Sequence, residues 1–248
     1  MTRLNPIVVA SCPAERIKET LFQFLRELRM KYPTTVIMLL CVLLAVTDGN
    51  GTTRIVGPGQ EYSTIQAAIN DSAPGDVVQV LPGEYVENVV LKEGVDVIGS
   101  GSETCVIRSL SESFLSTTVE ARGGLTISGL TIAGGYTGIQ CTGVSPMVSD
   151  CVICQNASYG ILMEGSSPVI SRSVIARNAL YGIRCLDSSA PTISNCTVSA
   201  NGYGVSSDNS SPVLSNCILW ENGDDLDGVT DEAAIMYSDI EDGDFSGE

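Results

Sequence analysis

One absence limits the chemistry open to this chain, because none of its 248 residues is histidine. Without histidine there is no Ser–His or Cys–His nucleophile, no histidine-ligated zinc and no histidine acid or base. The sequence also contains no G-x-S-x-G, phosphate-loop or dinucleotide-binding motif. Carboxylates, arginines and cysteines therefore remain as the groups for any site.

Three aspartates near the carboxyl end are the candidate metal ligands. Asp224, Asp225 and Asp227 are close enough in sequence to share a calcium ion, which binds through oxygen ligands. From Glu221 onward, however, there are eleven acidic residues and no basic one, a pattern more typical of a solvated acidic segment. The sequence indicates no other cofactor.

The cysteines include one pair at a spacing used by metal and redox sites, Cys151-x-x-Cys154. A zinc site of this kind needs a second pair of cysteines or histidines. Because neither a second pair nor a histidine is present, we interpret both cysteines as structural.

A repeat of about 22 residues sets the positions of these groups. Prolines fall at 146, 168, 191 and 212, asparagines at 156, 178, 201 and 222, and glycines at 138, 160, 182 and 204. Each unit holds short β-branched runs between turn residues, and no window of ten residues shows helical spacing. The period predicts an all-β solenoid, a parallel β-helix in which equivalent residues stack about 4.8 Å apart.

Stacking assigns roles to the repeated residues. The asparagine column is predicted to be a ladder of side-chain amides that hydrogen-bond from coil to coil. Cysteines that share columns with Leu130, Met163 or Ser173 are predicted to be small, free core residues. Asp150 and Arg172 share a column one coil apart, which favours a surface ion pair over a carbohydrate contact.

The first coil is expected to begin with a capping helix over residues 63–72. Ser63 and Gln66 form a capping-box pattern, and Ile65, Ala68 and Ile69 would lie on one face. Strands are predicted at Val77–Leu81, Val89–Leu91 and Val95–Ile98. The helix would cover the open edge of this coil.

The stretch from Tyr62 to Gly101 resembles the amino-terminal cap and first coil of the pectin lyase-like superfamily. The later units resemble the parallel β-helix repeats of its secreted bacterial members. The resemblance covers residues 57–228 and implies a right-handed parallel β-helix. It is much less specific for activity, because one fold hosts many functions.

Residues 215–228, SNCILWENGDDLDG, resemble the polygalacturonase segment in which paired aspartates follow a Ser-Asn-Cys strand. On that resemblance, Asp224 and Asp225 are the candidate catalytic pair of an inverting hydrolase. The chain departs from that family at Tyr203, where the family has aspartate, and it lacks the family's Gly-His-Gly and Arg-Ile-Lys motifs. Binding is therefore favoured over cleavage.

The composition favours an extracellular setting. The apolar run over residues 36–46 follows the charged and polar residues after Met30, as in a secretory signal, and is too short to span a bilayer comfortably. Beyond residue 47 there are seven Lys and Arg against 26 Asp and Glu, which disfavours nucleic acid and anionic membranes as partners.

We therefore expect three segments. Residues 1–47 are an extension and signal peptide with translation starting at Met30, residues 48–228 are the β-helix, and residues 229–248 are an acidic tail or incomplete coil. The favoured function is a secreted or cell-surface protein that binds polysaccharide along a lateral face. The alternatives are a glycoside hydrolase or polysaccharide lyase acting on a uronate-type polymer, and a structural or adhesin-like rod.

The mature protein is expected to begin near Asp48, because the polar stretch after residue 46 follows the apolar run as a cleavage region would. Amino-terminal sequencing of exported protein checks this expectation. Retention of residues 1–29 in the exported chain would contradict it.

Overall fold

The structure is a computed structural model and describes residues 51–111, 113, 116–123, 126–229 and 235–241. The predicted extension and signal peptide lie outside the described residues. What is described is one helix, α1 (Ile65–Asp71), and a stack of short strands.

In chain order the strands are β1 (Thr53–Val56), β2 (Val77–Val80), β3 (Gly83–Val86), β4 (Val89–Val90), β5 (Asp96–Gly99), β6 (Cys105–Arg108), β7 (Thr117–Ala121), β8 (Thr126–Ser128), β9 (Thr131–Ala133), β10 (Thr137–Thr142), β11 (Met147–Ser149), β12 (Val152–Cys154), β13 (Tyr159–Glu164), β14 (Val169–Ser171), β15 (Val174–Ala176), β16 (Tyr181–Leu186), β17 (Thr192–Ser194), β18 (Thr197–Ser199), β19 (Tyr203–Ser207), β20 (Val213–Ser215), β21 (Ile218–Trp220), β22 (Leu226–Asp227), β23 (Ile235–Met236) and β24 (Asp239–Ile240).

The strands form three parallel sheets. Sheet A contains β1, β2, β5, β8, β11, β14, β17, β20 and β23; sheet B contains β3, β6, β9, β12, β15, β18, β21 and β24; sheet C contains β4, β7, β10, β13, β16, β19 and β22. Each coil takes one strand from A, then B, then C, and β23 and β24 begin an eighth coil after seven complete ones. The predicted parallel β-helix is thus confirmed.

The chain turns sharply at three corners, which we number 1 (A to B), 2 (B to C) and 3 (C to A). From β8 onward, corners 1 and 2 each contain a left-handed residue, as Asp150 and Arg172 show at corner 1 with φ of 55° and 48°. Non-glycine residues accept this conformation at a cost of about 1–2 kcal/mol. Because these coils bend at the same positions, their three sheets stay in register.

Inward side chains from all three sheets make one apolar core. Ile153, Ile175 and Ile183 are fully buried, and the buried face of α1 joins the same core at the start of the stack. The seven cysteines of the described residues are all free, and only Cys154 is partly exposed. Burial raises the pKa of the Cys141, Cys151 and Cys185 thiols to about 12, as expected of inert core residues.

The asparagine column forms the predicted ladder. The Oδ1 of Asn178 accepts from both the Nδ2 and the backbone N–H of Asn156, at 2.9 and 3.2 Å. Asn201 accepts in the same way from Asn178, and Asn222 accepts from Asn201. The Nδ2 of Asn178 also donates to the Ile153 carbonyl at 3.2 Å. These buried amides are therefore paired.

A column of glycines lies beside the ladder, where there is no room for a Cβ atom. A Cβ added to Gly160 would lie 2.5 Å from the Gly182 carbonyl oxygen and 2.7 Å from the Nδ2 of Asn178. A Cβ added to Gly182 would meet Gly204 and Asn201 at 2.7 and 2.8 Å. Real Cβ atoms do not approach backbone so closely, so any side chain here would open the ladder.

The expectation for the helix cap at the start of the stack is wrong. The helix cap is Thr64, whose Oγ1 accepts from the Ala67 N–H, and Ser63 does not form the capping box. The carboxylate of Glu87 accepts from the first helical N–H groups, at 2.8 and 2.9 Å, while Gln66 bonds to β4 through Val90. The helix is therefore capped by the coil on which it packs.

At the other end of the stack, strand pairing continues beyond residue 228. Ser215 pairs with Met236 and Leu219 with Ile240, both at a spacing of 21 residues. The stack therefore continues into residues 235–240 as the start of a further coil, within the segment for which an acidic tail or incomplete coil was expected.

Replacing Asn178 by Ala should lower the free energy of unfolding by about 1–3 kcal/mol, because it leaves buried donors and acceptors unpaired on two neighbouring coils. The same change at Asn70, on the exposed side of α1, should alter stability by less than about 0.5 kcal/mol. Denaturant titrations of both variants measure the difference. Equal stabilities would show that the amide column does not hold the stack together.

Candidate functional site

The outer side of sheet C holds polar, charged and aromatic side chains in vertical columns, and we call it the sheet C face. It consists of the outward side chains of β7, β10, β13, β16, β19 and β22. In β13, for example, Ile161 and Met163 are buried while Tyr159, Leu162 and Glu164 are half-buried. The strand alternation that fills the core therefore also builds this face.

The first column is aromatic. The rings of Tyr159 and Tyr181 stack with centroids 5.4 Å apart, those of Tyr181 and Tyr203 stack at 4.9 Å, and Tyr136 meets Tyr159 edge-on at 5.9 Å. Such pairs contribute about 0.5–1.5 kcal/mol each beyond area burial. Because Tyr181 lies between two other rings, its faces are closed to a sugar ring.

This column was not predicted from the sequence, in which Tyr203 stood out only as a replacement for aspartate. Its members fall at 136, 159, 181 and 203, the period of the whole repeat. A search for any residue type at that period would have found them.

The next column contains a guanidinium network centred on Arg184. Arg184, Ser206 and Asp227 are partners on three neighbouring strands. The Ser206 hydroxyl accepts from Nη1 of Arg184 and donates to Oδ2 of Asp227 at 2.5 Å. Arg184 also lies within 3.5 Å of Asp227 and 3.7 Å of Asp208, and its guanidinium sits 5.0 Å from the centre of the Tyr181 ring. One cation thus ties together both columns.

A groove of about 570 Å³ opens where the same face reaches the first coils. It is lined by Glu93, Glu120, Ala121, Arg122, Gly123, Gln140, Thr142, Gly143 and Val144. The Oε1 of Gln140 accepts from Thr117 at 3.0 Å, and the Thr142 hydroxyl donates to Glu164 at 3.2 Å. These hydrogen bonds link polar side chains of the groove on β7, β10 and β13. Leu162 separates Gln140 from Arg184 in the same column.

The structure separates the three aspartates that were expected to hold calcium or act in catalysis. Asp225 is completely buried and accepts from Nδ2 of Asn222 at 2.7 Å and from the Glu241 N–H at 2.9 Å, so it ends the asparagine ladder. Asp224 accepts from the Leu226 N–H at 3.1 Å, and Asp227 belongs to the Arg184 network. Among the described residues, no three metal-ligating side chains come together.

Asp150 and Arg172 form a bidentate ion pair at corner 1, away from the sheet C face. The Nε and Nη2 atoms of Arg172 donate to the two carboxylate oxygens at 2.8 and 2.7 Å. The hydrogen bonds from Arg172 lower the pKa of Asp150 below its ordinary value. Both side chains are about half exposed, so the pair contributes little to stability.

Comparison with known families and curated proteins adds two findings. The family described as "Right handed beta helix region" matches residues 92–239. A cell surface glycoprotein from Methanothermus fervidus is 28% identical over 109 residues, which are 42% of this chain but only 18% of that relative. The matched part of the chain therefore spans less than a fifth of this relative.

Solved structures resemble the chain in fold. Pectin methylesterase PemA from Erwinia chrysanthemi superposes with a TM-score of 0.56 at 13% identity, covering 68% of this chain and 66% of that one. An alginate lyase from a Paenibacillus species gives 0.54 at 17% identity, covering 76% and 71%. The tailspike of an Acinetobacter baumannii bacteriophage, a capsular polysaccharide depolymerase, gives 0.51 at 14% identity, covering 68% and 39%. Within the described part of the chain, no helix is long and apolar enough to cross a membrane.

Replacing Asp225 by Asn should destabilise the protein by about 1–3 kcal/mol, because an amide would turn a donor toward either Asn222 or the Glu241 N–H. Asp224→Asn is the matched control at the adjacent, partly exposed position and should stay within about 0.5 kcal/mol of the parent. Thermal unfolding of both variants makes the comparison. Unchanged stability in Asp225→Asn would contradict the structural role of Asp225 and make it a candidate catalytic residue again.

Proposed function

The chain belongs to the right-handed β-helix family. We propose that it is a secreted or cell-surface protein that binds a polysaccharide along the sheet C face. The observation that supports this most directly is the row of polar side chains from the groove at Gln140 to the Arg184 network, which is interrupted at Leu162. Successive coils repeat about every 4.8 Å, so a linear polymer would meet similar donors and acceptors along its length.

The location is supported by the relative named as a cell surface glycoprotein and by the signal-like run over residues 36–46. The named alginate lyase and capsular polysaccharide depolymerase share only the fold with this chain. We therefore base polysaccharide binding on the side chains of the sheet C face.

Binding without efficient cleavage fits the geometry better than hydrolysis. An inverting hydrolase needs two carboxyl groups that face one bond from opposite sides. Of the two carboxylates expected to act, Asp225 is buried against Asn222 and Glu241. A lyase would need a base, and the guanidinium of Arg184 stays protonated in proteins.

The experiment is retention on a panel of immobilised polysaccharides, repeated with three variants. Arg184→Gln and Gln140→Ala, at the two ends of the proposed binding row, should each weaken retention by about tenfold, since each loses hydrogen bonds worth about 1–3 kcal/mol. Arg172→Gln is the matched control, with the same charge change at corner 1, and should retain parental binding. Unfolding curves establish that each variant is folded.

The other functions give different results. Loss of retention in Arg172→Gln alone would place binding at corner 1. Release of reducing ends or unsaturated products would establish an enzyme. If the folded protein is retained on no polysaccharide, the structural rod becomes the favoured function. The asparagine and tyrosine columns are the observation that supports it.

A further inference from the structure

We propose that the sheet C face takes an uncharged polysaccharide and disfavours polyuronates. This inference rests on the proposed function and adds the class of polymer. It follows from how the charges on the face are distributed and paired.

Carboxylates outnumber cations on this surface. Glu120, Glu164, Asp208 and Asp227 lie in its columns, and Glu93 lines the groove. Against these five carboxylates the face has two guanidinium groups, on Arg122 and Arg184. A polyuronate carries one carboxylate on every sugar, so it would bring more negative charge to a surface that already has an excess.

Both guanidinium groups are already paired. Nε of Arg122 donates to Glu120 at 2.8 Å, and this hydrogen bond raises the pKa of Arg122 above its ordinary value. Arg184 is only 19% exposed and lies among Ser206, Asp208 and Asp227. A uronate carboxylate would have to displace one of these partners, which leaves a carboxylate uncompensated.

The nearest other cations do not change this balance. Nζ of Lys92 donates to the Asn70 carbonyl at 3.1 Å and also to Ser72, at the end of α1. Arg177 is exposed at corner 2, outside the groove, and makes no ion pair with the described residues. It is the one position beside the face where an anion would find an uncommitted guanidinium.

The charge of the whole chain acts in the same direction. Its formal net charge is −16 at pH 7, and such a field slows the approach of a polyanion within a Debye length of about 8 Å at physiological salt. A neutral polymer feels no such repulsion. Gln140, Thr142 and the carboxylates can bond its hydroxyl groups, which both donate and accept hydrogen bonds.

The test compares polygalacturonate and alginate with neutral glucans, mannans and xylans at about 20 and 300 mM salt, using the full secreted protein. At least one neutral polymer should be retained equally at both salt concentrations, and the polyuronates should be retained less than it at both. The double change Glu164→Gln and Asp208→Asn removes two face charges and should raise polyuronate retention about five- to tenfold at the lower salt. The matched double change Glu61→Gln and Glu103→Gln removes the same number of charges at exposed positions outside the face and should leave polyuronate retention as in the parent.

The outcomes separate the two proposals. A polyuronate retained more tightly than every neutral polymer, and lost in Arg184→Gln, would overturn the charge inference while keeping binding on this face. The same retention lost in Arg177→Gln would overturn it in favour of an anion site at corner 2. Retention of no polymer at all would instead defeat the proposed function itself.

Discussion

The hydrogen bonds between asparagine amides on successive coils fix the position of each coil over the next. Each Oδ1 accepts both a side-chain and a backbone N–H from the coil before, as between Asn156 and Asn178. A shift by one residue would break both bonds and would also turn the core side chains of every strand outward. The glycines beside the ladder fit the same constraint, since they leave the amides room to meet.

The fixed register also brings specific side chains of neighbouring coils into contact on the outer face. Tyr159, Tyr181 and Tyr203 can stack only because their strands stay aligned, and the Arg184 network joins residues that lie 22 and 21 positions apart in the chain. The ladder lies inside the stack and the polar columns lie outside it. A change on the face can therefore alter binding while the ladder keeps the fold.

The features that could be predicted from the sequence are those in which the same residue type recurs at the repeat period. The asparagine column, the parallel strands and the free cysteines could be read from spacing alone. The burial of Asp225 could not be predicted, because it stands next to Asp224 in corner 2 before β22, and only the folded corner buries one and leaves the other partly exposed. The cap residue is Thr64 and not Ser63. The Ile65 N–H donates to the Glu87 carboxylate, 22 positions away, and a local capping-box pattern cannot predict this contact. Strands β23 and β24 were not predicted, because acidic residues interrupt their short apolar runs.

Corner 3, like corner 2, accepts a different number of residues in different coils. Between β16 and β17 it holds two consecutive left-handed residues, Asp187 and Ser188, with φ of 54° and 64°. Ile170 and Ile193 are consequently 23 residues apart, although Ile161 and Ile183 on the neighbouring sheet are 22 apart. The extra residue bulges outward without moving either sheet. Longer loops could be added at this corner in the same way, where they would form a wall along one edge of sheet C and narrow the surface beside it without disturbing the stack.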